Sequence, residues 1–137
     1  MIEKLNQILQ GLIERVKDSG WVDFTPSGYN VIWEVKNVCR GRRVGNLVNL
    51  QFMDIRTTAI ISTEIYLVNG LPEEFRPDTE LSFPLEATPG SGIKYGGLLT
   101  IRPNGLVVIA PQGGDRYVPT YGIRANAVYF VGGGGNA

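Results

Sequence analysis

The chain has 137 residues, of which 43% are apolar, and its 13 basic and 13 acidic side chains leave no net charge. This composition fits one compact domain with a short appendage, and the charge balance disfavours general binding to nucleic acid or to an anionic membrane. Histidine is absent and cysteine occurs once, which excludes serine–histidine and cysteine–histidine catalytic sites, cysteine–histidine metal clusters and an intrachain disulfide.

The first sixteen residues carry the heptad pattern of an amphipathic helix. Apolar side chains recur at spacings of three and four, at Ile2, Leu5, Leu9, Leu12 and Val16. This stripe must be buried on the rest of the chain or on other copies, and its width favours three or more helices, or docking on the head, over a dimer. We predict a helical stalk at residues 1–19 that forms a trimeric coiled coil. Because neither a signal peptide nor a membrane span is visible, we expect synthesis in the cytoplasm.

After residue 20 the pattern changes to β-structure. Alternation and turn signals predict strands at 21–25, 29–38, 44–52, 57–68 (one or two strands), 81–85, 97–102, 106–110 and 125–131. Residues 40–43 are predicted to form a charged turn, Pro84 to close its strand, and Asn104-Gly105 to form a type I′ turn. The fold prediction is mainly β, with an antiparallel β-sandwich or jelly-roll head at 20–131 and a flexible glycine-rich tail at 132–137.

Several segments then follow in a familiar order. Residues 71–77 read Leu-Pro-Glu-Glu-Phe-Arg-Pro, residues 81–84 read Leu-Ser-Phe-Pro, and Gly97, Leu99, Ile101, Asn104, Gly105 and Val107 form a hairpin pattern. Residues 44–50 and the aromatic strand at 127–131 complete the series. Together they resemble the head domains of receptor-binding proteins at the tail tip or baseplate of phages and prophages of Gram-positive bacteria, in particular the lactococcal-phage type.

The resemblance implies a homotrimer in which an N-terminal helical bundle carries β-sandwich heads. Such heads bind saccharide on the host cell wall, and the protein resides in the virion, at the phage tail tip or baseplate, in contact with other tail or baseplate proteins. The implied site needs no cofactor and no metal. The short helical segment, at about sixteen residues, departs from relatives with a longer neck.

Candidate binding residues are charged and aromatic groups in predicted loops or at strand ends. One group, placed in a loop, comprises Asp115, Arg116, Tyr117, Tyr121 and Arg124. The second is Asp54 with Arg56, which alternation places on one side of a strand end. Carboxylates and guanidinium groups can hydrogen-bond sugar hydroxyls. The alternatives are a polar loop with an internal ion pair for the first group and a surface salt bridge for the second.

Catalysis is not expected. Glu73-Glu74 is the only adjacent acidic pair, and it lies in a proline-bounded turn. A glycosidase needs two carboxylates that face each other across a cleft, which neighbouring turn residues rarely do. We therefore predict a binding protein and not an enzyme. The alternative is a structural baseplate or tail-fibre subunit that makes no direct contact with the receptor.

Overall fold

The structure is a computed structural model that describes residues 2–15, 17–24, 31–32, 38–90 and 92–131. One α-helix and a short 3-10 helix accompany nine strands in this part of the chain. In order they are α1 (Ile2–Arg15), β1 (Val22–Asp23), β2 (Val31–Ile32), β3 (Val38–Val44), β4 (Leu47–Thr57), β5 (Ile65–Asn69), the 3-10 helix (Glu73–Phe75), β6 (Leu81–Thr88), β7 (Tyr95–Ile101), β8 (Leu106–Pro111) and β9 (Gly122–Phe130). The predicted tail at 132–137 and most of the predicted strand 29–38 lie outside the described residues.

The described strands join in one antiparallel sheet. Its order is β1-β3-β4-β9-β6-β7-β8-β5, and β2 pairs with β4 beside this path. Phe52 on β4 and Ile109 on β8 are far apart in this order but belong to one buried cluster, so the sheet curls around a single core. The prediction of a mainly antiparallel β fold with a short N-terminal helix is confirmed. The division into the two sheets of a sandwich or jelly roll stays a prediction.

Alternation along β4 decides which face of the sheet is buried. Val48, Leu50 and Phe52 are at most 1% exposed, as their spacing predicted. Burying a side chain of this size contributes roughly 1.5–3 kcal/mol. From β9, the Tyr129 hydroxyl reaches through the core and donates a hydrogen bond to the carbonyl oxygen of Phe75 at 2.6 Å. This bond fastens the 3-10 segment to the sheet.

Residues 40–43 do not form the predicted turn, because they lie inside β3. Cys39 and Gly41 face the core while Arg40 and Arg42 face outward, so these two charges mark the outer face of a strand. A Cβ at Gly41 would lie 2.6 Å from a Leu50 methyl carbon and 2.9 Å from the Phe24 ring, which explains the glycine. Burial raises the pKa of the Cys39 thiol to about 12. The turn itself follows at Gly45, where φ is 59°.

Several predicted strand boundaries are also wrong. β4 spans Leu47–Thr57 instead of 44–52, and within the predicted 57–68 the next strand begins only at Ile65. The strand 81–85 continues to Thr88 and passes through Pro84. Proline is tolerated at position 84 because β6 pairs with β9 only from Glu86 onward. The N–H that proline lacks would therefore have had no partner on β9. The last strand begins at Gly122 instead of residue 125, since its pairing with β6 continues to the Gly122–Thr88 pair.

The β7–β8 hairpin is confirmed, but its turn is not type I′. The Gly105 N–H donates to the carbonyl oxygen of Arg102 at 2.9 Å, and Pro103 and Asn104 lie between them. Gly105 has a φ of 91°, while Asn104 is not among the described residues with positive φ, although a type I′ turn requires it at both central positions. A three-residue loop that ends in a left-handed glycine therefore connects the strands, because Pro103 fixes a negative φ at its first position.

The helix α1 spans Ile2–Arg15, inside the predicted helical stalk at residues 1–19. Its stripe is exposed, with Ile2, Leu5 and Leu9 retaining 75%, 57% and 49% of their surface. Val16 and the side chain of Leu12 lie outside the described residues. Assembly of the stripe into a trimeric coiled coil stays a prediction. In the part of the chain that the structure describes, neither helix combines the length and apolar character needed to cross a membrane.

A short segment fastens the helix to the sheet beside β3. Asp18 forms an ion pair with Arg42, whose Nε donates to Asp18 Oδ1 at 3.0 Å. The hydrogen bonds from Arg42 and from the Gly20 N–H lower the pKa of the Asp18 carboxyl to about 2. The Lys17 carbonyl oxygen accepts the Gly45 N–H at 2.8 Å. The helix is thus attached where β3 turns into β4, which we call the proximal end of the sheet.

Candidate functional site

All seven residues predicted to bind a ligand lie at the end of the sheet away from the helix. From the proximal end, the eleven residues of β4 span about 36 Å, and we call the end that they reach the distal end. The start of β9 and the connections at 58–64, 89–94 and 112–121 meet there. The predicted residues are Asp54 and Arg56 late in β4, Arg124 early in β9, and Asp115, Arg116, Tyr117 and Tyr121 in the β8–β9 connection. The prediction that Arg124 lies in a loop is therefore wrong.

A β-bulge redirects Asp54. The register between β4 and β9 shifts between Phe52 and Ile55, and Asp54 has a φ of 54°, the only positive φ at a described non-glycine residue. Aspartate tolerates this left-handed conformation better than most residues, and bulges commonly re-aim a side chain. A Cβ at Gly122 would lie 2.9 Å from Asp54 Oδ1. Glycine at 122 therefore leaves the space that the redirected carboxylate occupies.

Three predicted residues line one surface groove. Asp54, Arg56 and Arg124 border a depression of about 240 Å³. An adjoining depression of about 530 Å³ shares Met53 and Arg124 and adds Glu86. We call the two together the distal groove. Met53 is half exposed, so the groove offers an apolar surface between charged groups, as saccharide sites do.

The charged groups of the distal groove are paired with each other. An Arg56 nitrogen lies 3.2 Å from Asp54 Oδ1. Arg124 forms an ion pair with Glu86, and Lys94 Nζ lies 3.5 Å from the other oxygen of Glu86. The pKa of Glu86 is lowered, mainly by the hydrogen bond from Arg124 and to a smaller extent by the positive charge of Lys94. These pairs hold carboxylate acceptors and guanidinium donors in fixed positions along the groove.

Glu86 was missed by the sequence analysis because β6 was predicted to end at residue 85. The apolar alternation does continue, since Leu85 and Ala87 are both buried, and this signal would have extended the strand. In the longer strand Glu86 lies directly opposite Arg124 of β9. The pairing partner itself follows from the tertiary structure and could not be read from the pattern.

A second cluster lies on the inner side of the distal end. The rings of Tyr95 and Tyr121 stack with their centroids 4.9 Å apart and their planes 10° from parallel. A hydrogen bond with Tyr95 is the main cause of a raised pKa at Tyr121, and the Asp115 and Arg116 charges also act on that hydroxyl. Asp115 Oδ2 accepts the Gly96 N–H at 3.3 Å, which ties the loop to β7. Tyr95 was not predicted; its stacking partner is 26 positions away in sequence.

Tyr117 does not belong to a surface site. It is completely buried, and its backbone pairs with that of Ile61. Burial, with a smaller contribution from Asp115, raises the pKa of its hydroxyl. We remove it from the candidate residues because its ring offers no surface to a ligand. In the described residues, no group of three or more carboxylate or thiol side chains is placed to hold a metal ion.

Comparison with known proteins gives a match in fold. No family model matches the chain, and no curated protein does. Among solved structures, the chain is similar to the head domain of phage bIL170, which was described in a study of a common fold for the receptor-binding domains of lactococcal phages. The TM-score is 0.63 at 12% identity, and the match covers 81% of this chain and 96% of that domain. At this identity the likeness shows the fold, and it agrees with the family resemblance at that level.

Proposed function

We propose that this chain is a receptor-binding head of a phage or phage-tail-like particle, and that it attaches the particle to saccharide on the host surface. The observation that carries the proposal is the fold match, because it spans almost the whole of a phage receptor-binding head domain. The two ends of the molecule also fit this role. The helix leaves from the proximal end, and the candidate site lies at the distal end.

The distal groove is the proposed saccharide site. Asp54 and Glu86 accept hydrogen bonds from sugar hydroxyls, Arg56 and Arg124 donate them, and Met53 contacts the apolar face of a ring. The second cluster, with Asp115, Arg116 and Tyr121, offers a further contact at the same end of the sheet. The proposed activity is binding and not catalysis, and it needs no cofactor.

Assembly makes such binding useful. A single shallow groove binds weakly, but several heads that engage one surface together gain avidity through their effective concentration. We propose that α1 joins three copies through its exposed stripe, and that the proximal end faces other tail or baseplate proteins in the virion.

The decisive experiment is co-sedimentation of the full chain with purified wall polysaccharide from a panel of Gram-positive bacteria. We expect Arg124→Gln to weaken binding at least tenfold. The control is Arg102→Gln, since Arg102 is also paired, with Glu64 at 3.0 Å and Glu80 at 3.3 Å, but does not border the distal groove. Its binding should match that of the unaltered chain.

Two further outcomes decide between the alternatives. If the chain binds no wall preparation, the receptor-binding proposal fails and a structural tail subunit is favoured. If Arg124→Gln and Arg102→Gln bind equally well, the groove is not the site. In that case Asp115→Ala and Arg116→Ala test whether the second cluster carries the binding.

A further inference from the structure

The charged side chains that line the distal groove balance each other. They are Asp54, Arg56, Glu86 and Arg124, two of each sign. Lys94 lies outside this lining, and its Nζ is 3.5 Å from the Glu86 carboxylate. A cleft lined by one sign of charge concentrates ions of the opposite sign. The lining of this groove carries no net formal charge and has no such effect.

Each arginine of the groove already uses the part of its guanidinium group that binds anions best. Nε and Nη2 of Arg56 both lie 3.2 Å from Asp54 Oδ1, and Nε of Arg124 contacts Glu86 Oε1. A phosphate group binds arginine most strongly through two parallel hydrogen bonds. To make them here, the phosphate would have to displace a carboxylate and then remain beside it. An anionic ligand would therefore only exchange one exposed ion pair for another.

The rest of the lining includes groups that suit an uncharged ligand. Gln51 on β4 lies directly opposite Asn126 on β9, and a primary amide both donates and accepts hydrogen bonds, as a hydroxyl group does. Arg40, from outside the lining, donates from Nε to Gln51 Oε1 at 3.0 Å and so orients this amide. Met53 and Pro84 expose aliphatic surface beside the amides. The C–H groups of a sugar ring can pack on such a surface.

We propose that the distal groove selects an uncharged sugar unit and does not bind the phosphate groups of an anionic wall polymer. The inference rests on the proposed function and narrows the chemical class of its ligand. The paired arginines still offer single N–H donors to hydroxyl groups, whereas an anion meets the carboxylates of Asp54 and Glu86. Binding through the groove then depends little on salt, because no ion pair with the ligand is screened.

The salt dependence of wall binding is the first test. The full chain is co-sedimented, in 50 mM and in 500 mM sodium chloride, with the wall polysaccharide that it binds best. The part of the binding that Arg124→Gln removes should change less than threefold, and sodium phosphate at matched ionic strength should compete no better than sodium chloride. A larger loss in high salt, or displacement by phosphate, overturns the inference and leaves the receptor-binding proposal standing.

A variant that unpairs the groove arginine gives a second test, which needs no natural receptor. Glu86→Gln removes the carboxylate partner of Arg124, and should raise the affinity for purified poly(glycerol phosphate) teichoic acid at least fivefold. The matched control is Glu80→Gln, which changes the net charge equally and removes a carboxylate beside Arg102, but lies outside the groove. Its affinity for teichoic acid should stay within twofold of the unaltered chain. Circular dichroism should be the same for all three, since neither carboxylate belongs to the core.

The outcomes separate this inference from the proposed function. If Glu86→Gln gains no more affinity for teichoic acid than Glu80→Gln, the ion pair does not exclude anions and the inference is overturned. The same holds if the unaltered chain already binds teichoic acid as tightly as Glu86→Gln. If the chain binds no wall preparation at all, the proposed function itself fails, and this inference fails with it.

Discussion

Replacement of Gly97 by alanine tests the packing beneath the distal end. Gly97 faces the core from β7, and a Cβ there would lie 2.0 Å from the Tyr117 hydroxyl oxygen. It would also lie 2.7 Å from the carbonyl oxygen of Ala110 and 2.8 Å from a Leu85 methyl carbon. All three distances are shorter than a carbon atom tolerates, and one of the neighbours is backbone. The methyl group therefore cannot enter without a shift of β8 or of the tyrosine.

The magnitude follows from two opposing effects. Overpacking a core with one methyl group costs about 1–3 kcal/mol, and three simultaneous contacts place Gly97→Ala near the upper value. Alanine also lowers the conformational entropy of the unfolded chain relative to glycine, which stabilises the folded state by roughly 0.5–1 kcal/mol. We expect the free energy of unfolding to fall by about 2 kcal/mol, a large share of the 5–15 kcal/mol typical of a domain.

The neighbouring glycine supplies the control. Gly96 lies on the opposite face of the same strand, and a Cβ there meets nothing within 4 Å. Urea unfolding at one protein concentration should separate Gly97→Ala from Gly96→Ala by at least about 2 kcal/mol. In a Tyr117→Phe background the cost of Gly97→Ala should shrink, because the nearest atom is gone. Equal stability of the two alanine variants would refute the packing argument.

Four further predictions each concern a single residue. Tyr117→Phe should raise the free energy of unfolding by roughly 1 kcal/mol, because its buried hydroxyl has no hydrogen-bond partner among the described residues. Tyr129→Phe should lower it by about 1–2 kcal/mol, because the buried carbonyl of Phe75 loses its donor. Asp54→Ala should cost about 1–2 kcal/mol and Asp54→Gly less than about 0.5 kcal/mol, since only glycine accepts a φ of 54° freely. The same urea titrations check all four. The folded pKa of Asp18 is about 2, below its ordinary 3.8; the stability difference between the unaltered chain and Asp18→Asn should therefore be constant above pH 4 and vanish as pH falls through 2. A difference unchanged at pH 2 would contradict the Asp18–Arg42 pairing.

Local sequence patterns were sufficient to predict β4 and α1. The period of two along β4 predicted that Val48, Leu50 and Phe52 are buried, because a one-residue slip would expose all three. The three- and four-residue spacing of α1 predicted the helix. Both signals depend only on neighbours in sequence, and the structure confirms the elements that they predict.

Sequence patterns were insufficient where residues distant in sequence determine the local conformation or the burial of a side chain. Arginines 40 and 42 suggested a turn, although the strand there is imposed by β4 on one side and by the packing of Gly41 on the other. The sequence around Tyr117 has the polar composition of a surface loop. Its side chain is nevertheless buried, in a segment that forms an isolated backbone bridge with Ile61. The bulge at Asp54 depends on space left by Gly122. None of these partners can be identified from periodicity, and two of the three features, Tyr117 and the bulge, concern the candidate site.

The contrast between the two ends of the sheet follows from antiparallel pairing. Successive connections fall at alternate ends, and the turns at 45–46 and 103–105 are both short and proximal, whereas the connections at 58–64, 89–94 and 112–121 are longer and distal. The exception is the proximal connection at 70–80, which is held by the fully buried side chains of Leu71 and Phe75. Long surface connections tolerate substitution at little cost in stability. Substitutions are therefore expected to accumulate at the distal end, while the short proximal connections keep the segment that attaches the helix in a fixed geometry.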